Sequence, residues 1–311
     1  MSVLSARDAA TGSGKRADKE PALKLSIARF MAISVLTYSA LGAFSILCAA
    51  LSAAAEIGTT RLHFAPNGNF DSKGTYLPGQ VGFNLADVST VRELEALPAG
   101  VRGLVWIGRC GGVDASFVQA VRPYVGNPKV LGFYLMDDPD PTGKYFPHCA
   151  ADNLKAESDW IHANAPAAKT FIVLMNMGSA KTPSFAGSYN PINSHIDLFG
   201  FSPYPCRTGL EHCDFDMIDR SVAAAETAGV PRDGMVPVYQ AFGGGDWRNS
   251  DAGQYILPTV AQEREILARW GALVPKAVFD YAYSWGSQRG DVALHSSFDL
   301  QTLFSSHNRA D

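Results

Sequence analysis

Asp137 and Asp138 stand together at the close of an apolar run, residues 130–136, with Pro139 directly after them. Adjacent carboxyls at a strand end can do acid and base work, because the charge on one raises the proton affinity of the other. Alternation of side chains along the strand decides which of them faces a ligand. The bulky Phe133 and Leu135 suit a helix-covered side, which turns Gly132, Tyr134, Met136 and Asp138 inward and Asp137 to the other face. The same reasoning turns Gly200, Ser202 and Tyr204 inward in one later run, and Val238 and Gln240 in another. Asn84 and Asn176 close two more. In residues 278–285 either a small-residue set with Asp280 or an aromatic set with Trp285 faces the lumen. Amides and acids bind hydroxyls while flat rings stack on pyranose faces, so this mixture suits a sugar. Each residue also has a plainer reading. A strand-end aspartate can cap the next helix or join an ion pair, and Tyr204 and Trp285 can be packing residues. Asp197 opens its run and reads as structural, while Trp106, Trp160 and Trp270 read as core or helix-packing residues.

The elements that must carry these side chains recur along the chain. Short apolar runs fall at residues 61–64, 81–85, 103–107, 130–136, 170–176, 196–201, 236–242 and 278–285. Between them lie helical patterns at 90–97, 115–125, 151–164, 216–228 and 259–273. Strands alternating with helices imply a parallel sheet covered on both faces, and eight such units imply a single closed (β/α)8 TIM barrel. The first run is the least regular, since a glycine-rich stretch without a helical pattern, residues 67–79, separates it from the second. A doubly wound open sheet is the competing fold, but no GxGxxG follows an early strand. In the barrel, ligands lie at the carboxyl ends of the strands, where the residues above are found.

The amino terminus reads differently. Lys15, Arg16, Lys24 and Arg29 precede an almost uncharged apolar run, residues 30–51, which ends in Ser52-Ala53-Ala54-Ala55. That order is the order of an export signal, with cleavage expected before Glu56, and retention as a membrane anchor is the alternative. Residues 1–55 are therefore read as extension and signal peptide, and 56–311 as the barrel domain. The expected location is extracytoplasmic, secreted or in the cell envelope, and a monomer free of the membrane after cleavage is expected. The formal charge of −4, with no Lys/Arg cluster after residue 56, argues against nucleic acid as a partner. The seven histidines show no ligand spacing and no CxxC occurs, so no metal or other cofactor is expected. Gly243-Gly244-Gly245 lacks a following Lys-Ser/Thr and reads as a sharp turn at the mouth, not a phosphate loop. Four cysteines follow residue 56. Cys206 and Cys213 share one loop, and Cys110 and Cys149 lie beyond the ends of consecutive strands, so those two pairs are the expected disulfides.

Four stretches resemble, in order, motifs of glycoside-hydrolase-like (β/α)8 barrels. Leu131-Gly132-Phe133-Tyr134-Leu135-Met136-Asp137-Asp138-Pro139 is similar to their strand-four motif ending Asp-Glu-Pro. Residues 196–205, closing in Ser202-Pro203-Tyr204-Pro205, are similar to strand six. Gln240-Ala241-Phe242-Gly243 resembles strand seven, and Tyr283-Ser284-Trp285 the closing aromatic strand. The resemblance implies an enzyme cleaving glycosidic bonds of an extracellular or cell-wall polysaccharide, with Asp138 as proton donor and Asp137 beside it. The relatives carry Glu at the donor position and a Glu nucleophile ending strand seven, where this chain has Gln240 and Ala241. Inversion, with Asp280, Asp87 or Asp246 as base, then fits better than retention. Substrate assistance by an acetamido sugar is another route, and a non-catalytic carbohydrate-binding barrel is the alternative function. Asn84, Asn176, Tyr204, Gln240 and Trp285 are the expected sugar contacts.

Overall fold

The structure, a computed structural model, describes residues 61–247 and 253–310. The expected leader and its apolar run at 30–51 lie outside the described residues. Eight parallel strands close into a barrel: β1 (Leu62–Phe64), β2 (Leu85–Val88), β3 (Arg102–Trp106), β4 (Val130–Asp137), β5 (Lys169–Val173), β6 (Leu198–Phe201), β7 (Met235–Gln240) and β9 (Phe279–Tyr283). The ring is completed by β9 against β1, where Leu62, His63 and Phe64 pair with Phe279, Asp280 and Tyr281. A two-stranded antiparallel ribbon, β8 (Phe242–Gly244) with β10 (Asp291–Ala293), is added beyond the ends of β7 and β9. The helices are α1 (Val91–Ala96), α2 (Ala115–Val121), α3 (Ala151–Asn164), α4 (Pro191–Ser194), α5 (Asp216–Thr227), α6 (Val260–Leu273) and α7 (Phe298–His307). They follow every barrel strand except β1.

Local signals account for most boundaries. Thr90 and Thr259 cap α1 and α6, each in a reciprocal box with the residue three positions on, Glu93 and Gln262. Two buried layers result from the alternation in the strands. Phe64, Leu85, Leu104, Phe171, Leu198, Val236 and Phe279 fill the barrel, while Phe133, Ile172, Phe199, Tyr239 and Ala282 face the helices. Glycine is required where backbones come close: a Cβ on Gly132 would sit 2.1 Å from the Lys169 carbonyl oxygen of the neighbouring strand.

The second run begins later than expected. Pro78–Val81 is a short 3₁₀ turn ended by Gly82 at φ 89°, and the strand starts only at Leu85. Asn84 therefore lies at the amino end of β2, opposite the mouth. Its Oδ1 accepts from the His63 N–H at 2.7 Å and its Nδ2 donates to the Arg61 carbonyl at 3.2 Å. It ties β1 to β2 and is not a sugar contact.

Candidate functional site

A cavity of about 450 Å³ opens at the carboxyl ends of the strands, and a smaller one of about 70 Å³ adjoins it. Asp137, Trp247, Tyr281 and Tyr283 line both. Asp87 from β2 and Trp106 from β3 line the larger, Asp138, Ser202 and Tyr204 the smaller. The segments flanking the ribbon contribute as well, for Arg289 lies 4.3 Å over the Trp247 ring and Gln288 donates to Asn67 Oδ1 at 2.7 Å.

The expected alternation in β4 holds only as far as Leu135. Tyr134 faces the lumen and Leu135 the helices, but the pairing with β5 slips between Tyr134 and Met136. After this bulge Met136 packs outward and Asp137 turns into the mouth. Tyr134 Oη donates to Asp137 Oδ1 at 2.7 Å. Asp138 follows in the left-handed region, φ 45°, with its N–H bonded to the Val173 carbonyl at 3.1 Å. Aspartate tolerates that conformation better than most residues, and strain of this kind collects at functional sites. The bulge and the positive φ bring both carboxyls to one opening.

Both carboxyl groups touch solvent through the opening, yet protein surrounds them on their other sides. Loss of hydration within these walls, then the charge of Asp137, push Asp138 up to about 7. Asp137 is also raised by burial, with the Tyr134 hydroxyl acting in the opposite direction. Because the two interact, their protons come off in two separate steps that belong to the pair, the second of them raised by the charge the first leaves behind. Asp87 is pushed up to about 6, chiefly by burial, although the Asn67 N–H bonds its carboxyl at 3.2 Å. Asn69 fixes that strand end by accepting the Asp87 N–H at 2.8 Å and donating to the Ala65 carbonyl.

Several expected site residues lie elsewhere. Asp280 points away from the lumen, because Phe279, Tyr281 and Tyr283 take the inward register of β9. Burial opposes its ionisation, but hydrogen bonds from His307 and His63, at 3.0 and 2.9 Å, prevail and hold the carboxyl down at about 2. It cannot serve as acid or base in the mouth. Trp285 lies two residues beyond the end of β9 and is 2 % exposed, packed in the layer beneath the helices. Gln240 is fully buried and binds the backbone of Cys206 and Ile256. Asn176 is exposed, and its Oδ1 accepts from Gly178 and Ser184 within one loop. Asp246 is exposed and lines neither cavity. Tyr204 does line the mouth, stacked edge-on against Phe242 and Tyr255.

The sequence reading missed Trp106 and Trp247, and left Tyr281 and Tyr283 as one of two registers for the last strand, the one that lines the mouth. Trp106 was within reach, since it ends β3 two residues beyond the inward Leu104. Trp247 had no signal, because it sits in a loop past the ribbon.

The expected disulfides, Cys110–Cys149 and Cys206–Cys213, are both formed. The first joins the segments after β3 and β4, one of which begins at Asp138, across a sequence separation of 39. Replacing both of its cysteines by serine should lower stability by about 3–4 kcal/mol on the chain-entropy scale for such a loop. Urea unfolding of the double variant checks this, and an unchanged midpoint would show that the bridge constrains little.

No family model matches the sequence, and no curated protein matches it. Solved structures do resemble the fold. A fungal endo-β-N-acetylglucosaminidase of glycosyl hydrolase family 18 aligns at TM-score 0.46 and 11% identity, over 80% of this chain and 98% of that one. The family 18 chitinase ChiB of Flavobacterium johnsoniae aligns at 0.47 and 8%, over 74% and 88%. The C-terminal domain of a protein assigned as a chitinase, from Desulfitobacterium hafniense, aligns at 0.52 and 8%, over 80% and 99%. At 8 % identity that likeness is one of fold alone, a single (β/α)8 barrel.

Proposed function

We propose that this chain is an extracytoplasmic glycoside hydrolase acting on a polysaccharide by carboxylate acid/base catalysis. The observation that carries the reading is the convergence of carboxyls on two adjoining aromatic-walled cavities, Asp87 from β2 in the larger, Asp138 just beyond β4 in the smaller, and Asp137 at the end of β4 in both. A mere binder needs rings and hydrogen bonds. It has no need of neighbouring carboxyls from separate strands, two of them pushed to higher proton affinity by their surroundings.

Asp138 donates its proton to the glycosidic oxygen as the bond from the anomeric carbon breaks. A water adds to that carbon from the opposite side and gives its proton to Asp87, which inverts the configuration. Asp137, oriented by Tyr134, keeps Asp138 protonated by its negative charge and faces the positive charge that develops on the sugar. Trp106, Trp247, Tyr204 and Tyr283 offer ring faces for the pyranose units. The two disulfides and the leader-like amino terminus support an oxidising, extracytoplasmic location.

The test is release of reducing ends from a panel of cell-wall and extracellular polysaccharides by the purified protein. Release from at least one, lost in Asp87→Asn, supports the reading. Activity confined to polymers of 2-acetamido sugars and retained in Asp87→Asn would replace Asp87 by the substrate's own acetamido group. Tight binding with no release from any polymer would make this a carbohydrate-binding barrel.

A further inference from the structure

At the foot of the barrel, opposite the mouth, His63 of β1, Asp280 of β9 and His307 of α7 converge. One donor atom from each lies within 4.8 Å of the others. They are remote in sequence, which is why no ligand spacing announces them. His63 Nδ1 lies 2.9 Å from Asp280 Oδ1, and His307 Nε2 lies 3.0 Å from Asp280 Oδ2. The hydroxyl of Tyr239 reaches Asp280 Oδ2 at 3.3 Å. The His63 side chain is 0% exposed and Asp280 2%, whereas His307 is 19% exposed and leaves a path from solvent.

We propose that His63, Asp280 and His307 bind one zinc-like divalent cation, which clamps the C-terminal helix to the base of the barrel. Two imidazoles and a carboxylate form a donor set that Zn²⁺ accepts, and water or the nearby Tyr239 hydroxyl can complete four-coordination. The ring geometry agrees. Two imidazoles on one tetrahedral ion, bound at about 2.0–2.1 Å, place their ring centres roughly 5 Å apart. The centroids of His63 and His307 are 5.3 Å apart, with the rings inclined at 67°. The two N···O contacts, 2.9 and 3.0 Å, need to lengthen by only about half an ångström to admit the ion, and the two ring nitrogens already lie within 4.8 Å of each other.

The tautomer balance allows it too. His63 Nε2 is buried and has no hydrogen-bond partner, so no second contact fixes which nitrogen carries the proton. On coordination the cation replaces the protons shared with Asp280. At each ligating nitrogen the N–H bond breaks and a metal–nitrogen bond forms, the proton passing to the other ring nitrogen or, where that already carries one, to solvent.

The site lies at the end of a helix that is packed on the core through Leu300 and Phe304. Asn308 donates to the Val81 carbonyl, Arg309 to Gln80, and Phe304 packs against Phe83 and Tyr239. A cation at His307 therefore fixes the end of α7 directly to two barrel strands.

The experiment uses the full chain, produced without a histidine tag and stripped with a chelator. Zn²⁺ should bind with a stoichiometry of one at this site. At about a hundredfold excess over the dissociation constant it should raise the melting temperature by roughly 5–10 °C, reversibly with chelator. His307→Gln removes a partly exposed ligand and should abolish the Zn²⁺-dependent rise, whereas Asp137→Asn with Asp138→Asn, in the mouth, should leave it intact. Co²⁺-loaded wild-type protein gives a readout free of substitution, the visible absorption of a four-coordinate site with nitrogen donors. Absence of that absorption, a melting temperature indifferent to Zn²⁺, or a Zn²⁺ effect that survives His307→Gln would overturn the proposal and leave a carboxylate bridged by protons alone.

Discussion

Asp138→Asn should lower the rate on unactivated polysaccharide by at least about 10²-fold, because the side chain keeps its size and loses the proton it gives to the leaving oxygen. Glycosides with a good leaving group need little protonation and should lose far less. The pH profile provides a second, independent check. Asp138 acts while protonated, so kcat/KM should fall as pH rises through about 7. Asp87 acts while ionised, so kcat/KM should fall as pH drops through about 6. A narrow bell between those values is the expected profile, and its alkaline limb should vanish in Asp138→Asn assayed with an activated substrate. Full rate on natural polymer in the variant, or an alkaline limb that persists, would move the donor role to Asp137.

Much of the frame behind this prediction can be read in the residues. Seven of the eight apolar runs overlap strands closely because parallel strands buried on both faces must be apolar throughout, and caps such as Thr90 and Thr259 mark helix starts. Cys110 and Cys149 could be paired because consecutive strands in a barrel have neighbouring loops. The site was legible in outline and blurred in detail. Strict alternation put Asp137 on the wrong face because it cannot register a bulge, which depends on how β4 meets β5. Asn84 was misplaced because Pro78 and Gly82 delay the second strand. Gln240 looks like a ligand-binding amide in sequence, but its partners are backbone groups near 206 and 256, brought close only by the closed barrel.

Trp285→Ala should destabilise the protein by about 3–5 kcal/mol, the range for removing a fully buried large side chain when the surroundings collapse only in part. The residue is 2 % exposed within the layer beneath the helices, so the lost volume is core volume. Its backbone adds to the argument. The Trp285 N–H binds the Pro66 carbonyl at 2.9 Å and its carbonyl accepts the His295 N–H at 2.9 Å, so this short segment joins the β1 loop to the turn after β10. Pro66 and Asn67 in that loop line the larger cavity. The tryptophan thus supports the mouth from behind without touching a ligand. Denaturant unfolding should show the midpoint displaced downward, while the folded variant binds oligosaccharide with nearly unchanged affinity. Replacing Trp106, 37% exposed in the cavity wall, should do the reverse, sparing stability and weakening binding. An unchanged midpoint for Trp285→Ala together with lost sugar binding would return Trp285 to the ligand surface and contradict its placement in the core.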